Sequence, residues 1–161
     1  MRWPKRGGRG FTLTEMLVTV AVLGILAGAA VPLAQNSIKR EKEVELARSL
    51  RLLREAIDAY KRLADEKKIQ SEKGSDGYPP DLQTLVNGVE VSQGEKDGGG
   101  GKRILRFLRR VPKDPLTNSL EWGLRSSQDA PDADSWGGEN VYDVYTKSRA
   151  KALDGSPYRE W

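Results

Sequence analysis

Two groups of residues have the types and spacing to do chemistry. The first is Glu15, a single carboxylate placed directly before nineteen uncharged residues, 16–34, and preceded by Thr12 and Thr14. An ionised carboxylate in an apolar medium costs about 3 kcal/mol and calls for a partner. The second is a run of acids, Asp129, Asp132, Asp134, Glu139 and Asp143, within fifteen residues and just after Ser126 and Ser127. Oxygen ligands of this kind suit calcium. A solvated loop whose Asp and Ser side chains cap turns is the competing reading, and the spacing does not match an EF-hand. Asp154-Gly155, further on, reads as a tight turn.

Other chemistry is limited by what the chain lacks. Its 161 residues hold no Cys and no His. Disulfides, thiol nucleophiles, Cys/His zinc sites and a His-based triad are therefore excluded. No nucleophile is paired with a base, so the reading is not of an enzyme. Gly101-Lys102 does not end a P-loop, because Lys96 stands where the first Gly belongs and Arg103 where Ser or Thr belongs. Lys and Arg number 27 against 23 Asp and Glu, a formal charge of +4. Arg2, Lys5, Arg6 and Arg9 account for that excess, since the first ten residues carry no acid. The positive charge is thus an N-terminal tag, with no basic patch to suggest a nucleic acid.

The elements that must position Glu15 come next. Residues 16–34 form a helix of roughly 28 Å, close to the ~30 Å of a hydrocarbon core. Basic residues before it set the N-terminus in the cytoplasm and everything after residue 34 across the membrane. A secretory signal cut between Ala27 and Ala34, or a plain single-span anchor, would share these features. Neither accounts for the polar Thr12, Thr14 and Glu15 opening the apolar run.

Gly10-Phe11-Thr12-Leu13-Thr14-Glu15 resembles the class III leader junction of type IV pilins and pseudopilins. The resemblance implies that a prepilin peptidase cuts between Gly10 and Phe11 and methylates the new amino group of Phe11. Glu15 becomes the fifth residue of the mature chain, the family's glutamate position. A neighbouring subunit's amine could then neutralise it during assembly. A first-turn acid is also favoured locally by the helix dipole. Gly24, Gly28 and Pro32 recur every four residues on one helix face. They allow close helix packing and weaken the helix locally; Gly and Pro are also simply commoner in membrane helices.

Beyond the span, residues 35–68 contain no Gly or Pro. Leu46, Leu50, Leu53, Ile57, Tyr60 and Ala64 follow a 4-3-4-3-4 spacing, one apolar stripe. Arg54 with Asp58, and Asp58 with Arg62, are i,i+4 pairs on the wet side. One helix is therefore expected from about Phe11 to about Lys67. Asp81 should cap a short helix carrying Leu82, Leu85 and Val86. Residues 92–101 end in four Gly and read as a mobile loop, and 102–111 as a further short helix. Short strands are expected at 120–124, 141–146 and 158–161, in one small antiparallel sheet.

Several of these stretches narrow the resemblance. Ala56-Ile57, Tyr60, Tyr78-Pro79, Val111-Pro112-Lys113-Asp114-Pro115 with Asn118, and Tyr142-Asp143-Val144-Tyr145 are similar to the major pseudopilins of type II secretion systems. The implied fold is α+β and pilin-like: a long N-terminal helix, its first half transmembrane, packed on a small antiparallel β-sheet. The implied divisions are a cleaved leader at 1–10, a transmembrane and assembly helix at 11–34, and a periplasmic domain at 35–161. That domain comprises a helix continuation (35–67), a variable part (68–111) and a sheet region (112–161). The resemblance also implies a homopolymer in the periplasm, anchored in the inner membrane and built with minor pseudopilins and an ATPase-driven assembly platform. A surface type IV pilin and a monomeric membrane-anchored binding module are the alternatives. The resemblance implies a calcium loop after the Tyr142–Tyr145 strand. Here that stretch, "KSRAKALDGSPYREW", has Asp154 as its sole Asp and three basic residues in its first half. Calcium thus has two candidate settings: the Asp129, Asp132, Asp134 and Asp143 loop, and Asp154.

Overall fold

The computed structural model describes residues 10–71, 74–92, 103–130, 133 and 135–161, with backbone alone at Ala29, Pro32 and Leu33. The chain forms two compact units, Met1–Arg40 and Glu41–Trp161. Helix α1, Leu13–Asp65, contributes residues to both. It ends two residues before the expected Lys67. Lys67 itself is left-handed, with φ 56°. Its N–H donates to the Ala64 carbonyl at 2.9 Å, and that of Lys68 to Leu63 at 3.0 Å. This double closure usually selects Gly. With Lys in that place, the stop carries no sequence signal.

In the unit Glu41–Trp161 the apolar stripe is the core. Leu46, Leu53 and Ile57 are completely buried, with Leu50, Ala56 and Tyr60 nearly so. They pack with Leu85, Val141, Val144 and Tyr158. Each such aliphatic side chain contributes about 1.5–3 kcal/mol on burial. Helix α2, Leu82–Asn87, begins as expected: the Asp81 carboxylate accepts from the Thr84 amide at 2.6 Å.

The strands depart from expectation. Val89–Val91 (β1) and Arg103–Leu105 (β2) pair antiparallel, with Glu90 opposite Ile104. Residues 103–105 are thus a strand where a helix was expected. The helical reading rested on three apolar residues, too short a segment to hold a helix by itself. The ladder, an Ile69–Val91 bridge and the Leu85 carbonyl, which accepts from Phe107 and Leu108 at 3.0 Å each, win instead. Gly88 makes the junction possible. It has φ 86°, and a Cβ there would lie 2.6 Å from the Leu105 carbonyl oxygen. Of the glycine-rich loop expected at 92–101, residues 93–101 lie outside the described residues.

Gly123–Arg125 (β3) and Asp143–Tyr145 (β4) form a second antiparallel pair, with Leu124 opposite Val144. Among the described residues, two separate two-stranded sheets replace the single sheet expected. Residues 158–160 are a single 3-10 turn, where a strand was expected. Pro157 precedes it, and its carbonyl accepts from the Glu160 amide at 3.1 Å.

The Pro112–Pro115 turn is organised by a buried acid. Asp114 is wholly inaccessible. Its carboxylate accepts from the Leu116 amide at 2.8 Å and the Thr146 hydroxyl at 2.5 Å. Its carbonyl accepts from Asn118, which is left-handed at φ 55°. Asp114→Ala would orphan the buried Thr146 hydroxyl and the part-buried Leu116 amide and should cost about 2–4 kcal/mol. Urea unfolding of the full chain in mild detergent measures this, and Asp114→Asn should cost less because it keeps an acceptor.

Candidate functional site

Helix α1 opens at a cap that the sequence reading passed over. Thr12 Oγ1 accepts from the Glu15 amide at 3.2 Å, and the Thr12 carbonyl accepts from Met16 at 3.1 Å. Thr-x-x-Glu is the capping-box spacing, so the signal was present in Thr12–Leu13–Thr14–Glu15 itself. The cap places Glu15 in the first turn, where the dipole favours an acid. The Glu15 carboxylate has no hydrogen-bond or ion-pair partner among the described residues. Gly10 and Phe11 lie before the helix and are exposed, Phe11 by 76%.

The described residues of the unit Met1–Arg40 bury almost nothing. Leu17, Leu23, Ile25 and Leu26 are each more than 60% exposed. No atom stands within 4 Å of where a Cβ would project from Gly24 or Gly28. Both glycines therefore present open backbone. The helix continues unbroken past Gly24, Gly28 and Pro32. Among the described residues no helix is long and apolar enough to cross a membrane. The uncharged run 16–34 includes Ala29, Pro32 and Leu33, whose side chains are outside that set.

The acids proposed as metal ligands have separate engagements. The Asp129 carboxylate accepts from the Ser126 amide at 2.7 Å and the Gly137 amide at 3.2 Å. Asp143 receives both its contacts from Arg54, at 2.7 and 3.3 Å. Arg54 was expected to pair with Asp58 along the helix. Instead it also reaches the main-chain oxygens of Val144 and Trp161. A fork that meets a carboxylate and two carbonyls outweighs an exposed i,i+4 pair worth tenths of a kcal/mol. Asp154 accepts from the amide and hydroxyl of Ser156, and these bonds hold its carboxyl below the usual range. Asp132 and Asp134 lie outside the described residues. Among the described residues no three acids gather as a metal cluster.

The Prokaryotic N-terminal methylation motif matches residues 5–31, which contain Gly10, Phe11 and Glu15. The chain is 29% identical to the type II secretion system core protein G of Aeromonas hydrophila over 120 residues, 73% of each chain. It is 30% identical to that of Klebsiella pneumoniae over 107 residues, 66% of this chain and 68% of the relative. It belongs to the type II secretion system core protein G family. A type IV major fimbrial protein FimA of Dichelobacter nodosus is 40% identical, over 37% of this chain and 36% of its own. No solved structure matches.

In this core protein G relative one residue of the C-terminal segment stands out electrostatically. Tyr158 is 1% exposed, and its hydroxyl donates to Glu43 Oε1 at 2.8 Å. Burial first, then that bond, pushes its pKa up from 10.0 to about 12. The folded state thus holds the phenol neutral. That contribution to stability is complete below pH 10 and is lost as pH rises through about 12. A tyrosinate absorbance titration of the full chain should show a last step near pH 12, absent in Tyr158→Phe.

Proposed function

We propose that this chain is the structural subunit of a pseudopilus, polymerising within a type II secretion system that exports folded proteins. The observation that carries the reading is Glu15. It is a carboxylate without a partner among the described residues, at the capped start of a helix whose described apolar side chains are exposed and whose glycine face is open. A chain so built is incomplete alone. Its apolar helix calls for lipid first and neighbouring helices later, and its acid calls for a cation in that setting.

In this reading a prepilin peptidase removes residues 1–10 and methylates Phe11. The chain waits in the bacterial inner membrane as a single-pass protein with its C-terminal domain in the periplasm. An assembly platform with an ATPase, and minor pseudopilins, then extend the homopolymer. The amine freed at Phe11 of one subunit neutralises Glu15 of the next. Gly24, Gly28 and Pro32 let the packed helices approach and bend. The role is mechanical, and no catalytic group or nucleic acid enters it. The second reading, a subunit of a surface type IV fibre, is favoured by the name of the fimbrial relative. That match covers about half as much of the chain as the core protein G matches do.

Mass spectrometry of the mature protein tests the scheme. A chain beginning at methylated Phe11 is expected. A start near Gln35 would point to ordinary secretion, and retention of the first ten residues to a monomeric anchored module. Glu15→Ala should insert in the membrane as well as the parent and be cut as well. Its yield of sheared fibres should fall at least about tenfold, the effect of losing an ion pair of ~1.4 kcal/mol or more per subunit contact. Fibres at parental yield would remove the pairing from the mechanism.

A further inference from the structure

We infer that the C-terminal turn of this chain is fastened to helix α1 by the carboxylate of Glu43, and that no cation is needed to hold it. The resemblance described above implies calcium at this place in related chains. The donor set here does not fit one. Residues 147–161 carry four basic side chains, Lys147, Arg149, Lys151 and Arg159, against two acidic ones, Asp154 and Glu160. A calcium site wants six to eight oxygens, several of them anionic. The one Asp of the stretch is already turned onto its own loop. Asp154 Oδ1 accepts from the Ser156 amide at 2.8 Å and its hydroxyl at 2.6 Å.

What a cation would do is done by hydrogen bonds. The Gly155 amide donates to Ala152 at 3.0 Å, and that of Ala152 to Ser156 at 2.8 Å, closing a tight turn around Gly155 at φ 89°. Lys151 and Pro157 form a bridge across its base. Glu43 lies on α1, in the same compact unit as the turn. Its Oε1 accepts from the Leu153 amide at 2.8 Å, at the tip of the turn, and from the Tyr158 hydroxyl at 2.8 Å, beyond its base. One oxygen thus grips the turn on both sides. Ala152, just before the first grip, and Tyr158, the second, are buried in the core. Trp161 closes the far end: its ring meets Tyr158 edge-on at 5.2 Å, its indole N–H donates to Ser156 Oγ at 3.0 Å, and its main-chain oxygen accepts from Arg54 at 2.7 Å. A carboxylate supplied by the helix replaces a metal whose ligands would have to come from the loop. The basic side chains around the turn, which would repel a cation, do not oppose that carboxylate.

The test uses the purified full chain, monomeric in detergent, so a failure to polymerise would bear on the proposed function and leave this inference standing. Melting and amide exchange of residues 150–161 are measured in EDTA and in millimolar calcium. The expected result is the same melting temperature and the same exchange in both. Calcium-dependent protection of the turn, or one calcium bound per chain by elemental analysis, would overturn the inference. Glu43→Ala should speed exchange of the Leu153 amide by at least about tenfold in either buffer. Glu43→Gln, which keeps an acceptor and the fold, should fall between it and the parent. Parental exchange rates in both variants would show that Glu43 fastens nothing.

Discussion

A two-stranded sheet of three-residue strands cannot stand alone in water, and the described residues of this chain build two of them. Each must therefore lie on something apolar and stiff. The last turns of α1 supply it through Leu46, Leu50, Leu53, Ile57 and Tyr60, whose alternating four- and three-residue spacing keeps one face toward the sheets. The order of dependence is clear from burial. Leu85, Val141, Val144 and Tyr158 are each at or near zero exposure, and all pack with that one stripe. With few ladder bonds and no Cys, the loops need other fastenings. They are side chains that reach main-chain groups: Asp114 at the Pro112–Pro115 turn, Asn140 beneath Ser127, Asp129 across Ser126 and Gly137, and Glu43 on the C-terminal turn.

Arg54 shows how one such fastening joins three elements. From α1 it meets Asp143 on β4, the Val144 carbonyl and the main-chain oxygen of Trp161. The planar fork of Arg can do this at once, where the point charge of Lys would have to choose. The pair is partly open to water, with side-chain exposures of 39% and 24%. It is therefore worth about 1 kcal/mol as a salt bridge. Its larger value is geometric. It fixes where β4 lies along the helix and draws the end of the chain to the same point. The same engagement takes Asp143 out of the reach of a metal.

The parts of this arrangement that were legible in the sequence are those governed by local rules. The stripe follows from spacing alone, α2 from Asp81 and three apolar residues, and the N-terminal methylation motif from a short run of residues. What was not legible depends on partners distant in the chain. Residues 103–105 carry too little pattern to choose between helix and strand, and pairing with 89–91 decides it. Residues 158–161 looked like a strand because Tyr158 and Trp161 are aromatic. Pro157 and the pull of Glu43, more than a hundred residues away, make them a 3-10 turn. Arg54 had a helical neighbour of opposite charge, and only the folded chain shows a better one. The stop at Asp65 was hidden because Lys67 takes a conformation that Gly normally marks. Thr12 is a different case. Its role was written in the Thr-x-x-Glu spacing, a wholly local signal.

That cap bears on how Glu15 works. In a complete capping box the Glu side chain reaches back to the amide of the capping residue. Here only half the box is made: Thr12 holds the Glu15 amide, and the Glu15 carboxylate is left without a partner among the described residues. The main chain at the start of the helix is thereby fixed while the charge stays free. On the proposed reading, cleavage would add a positive amine at Phe11, one residue before the cap. That amine and the positive end of the helix dipole repel each other within one chain. A carboxylate from either chain relieves the repulsion. Its own Glu15 sits on a turn already fixed by Thr12, whereas a neighbour's can slide along the helix axis until the charges meet. Two charges that match best between chains define an axial register, and uncharged residues such as Leu17, Leu23 and Ile25 could not set one, because apolar contact is nearly indifferent to a shift along the helix.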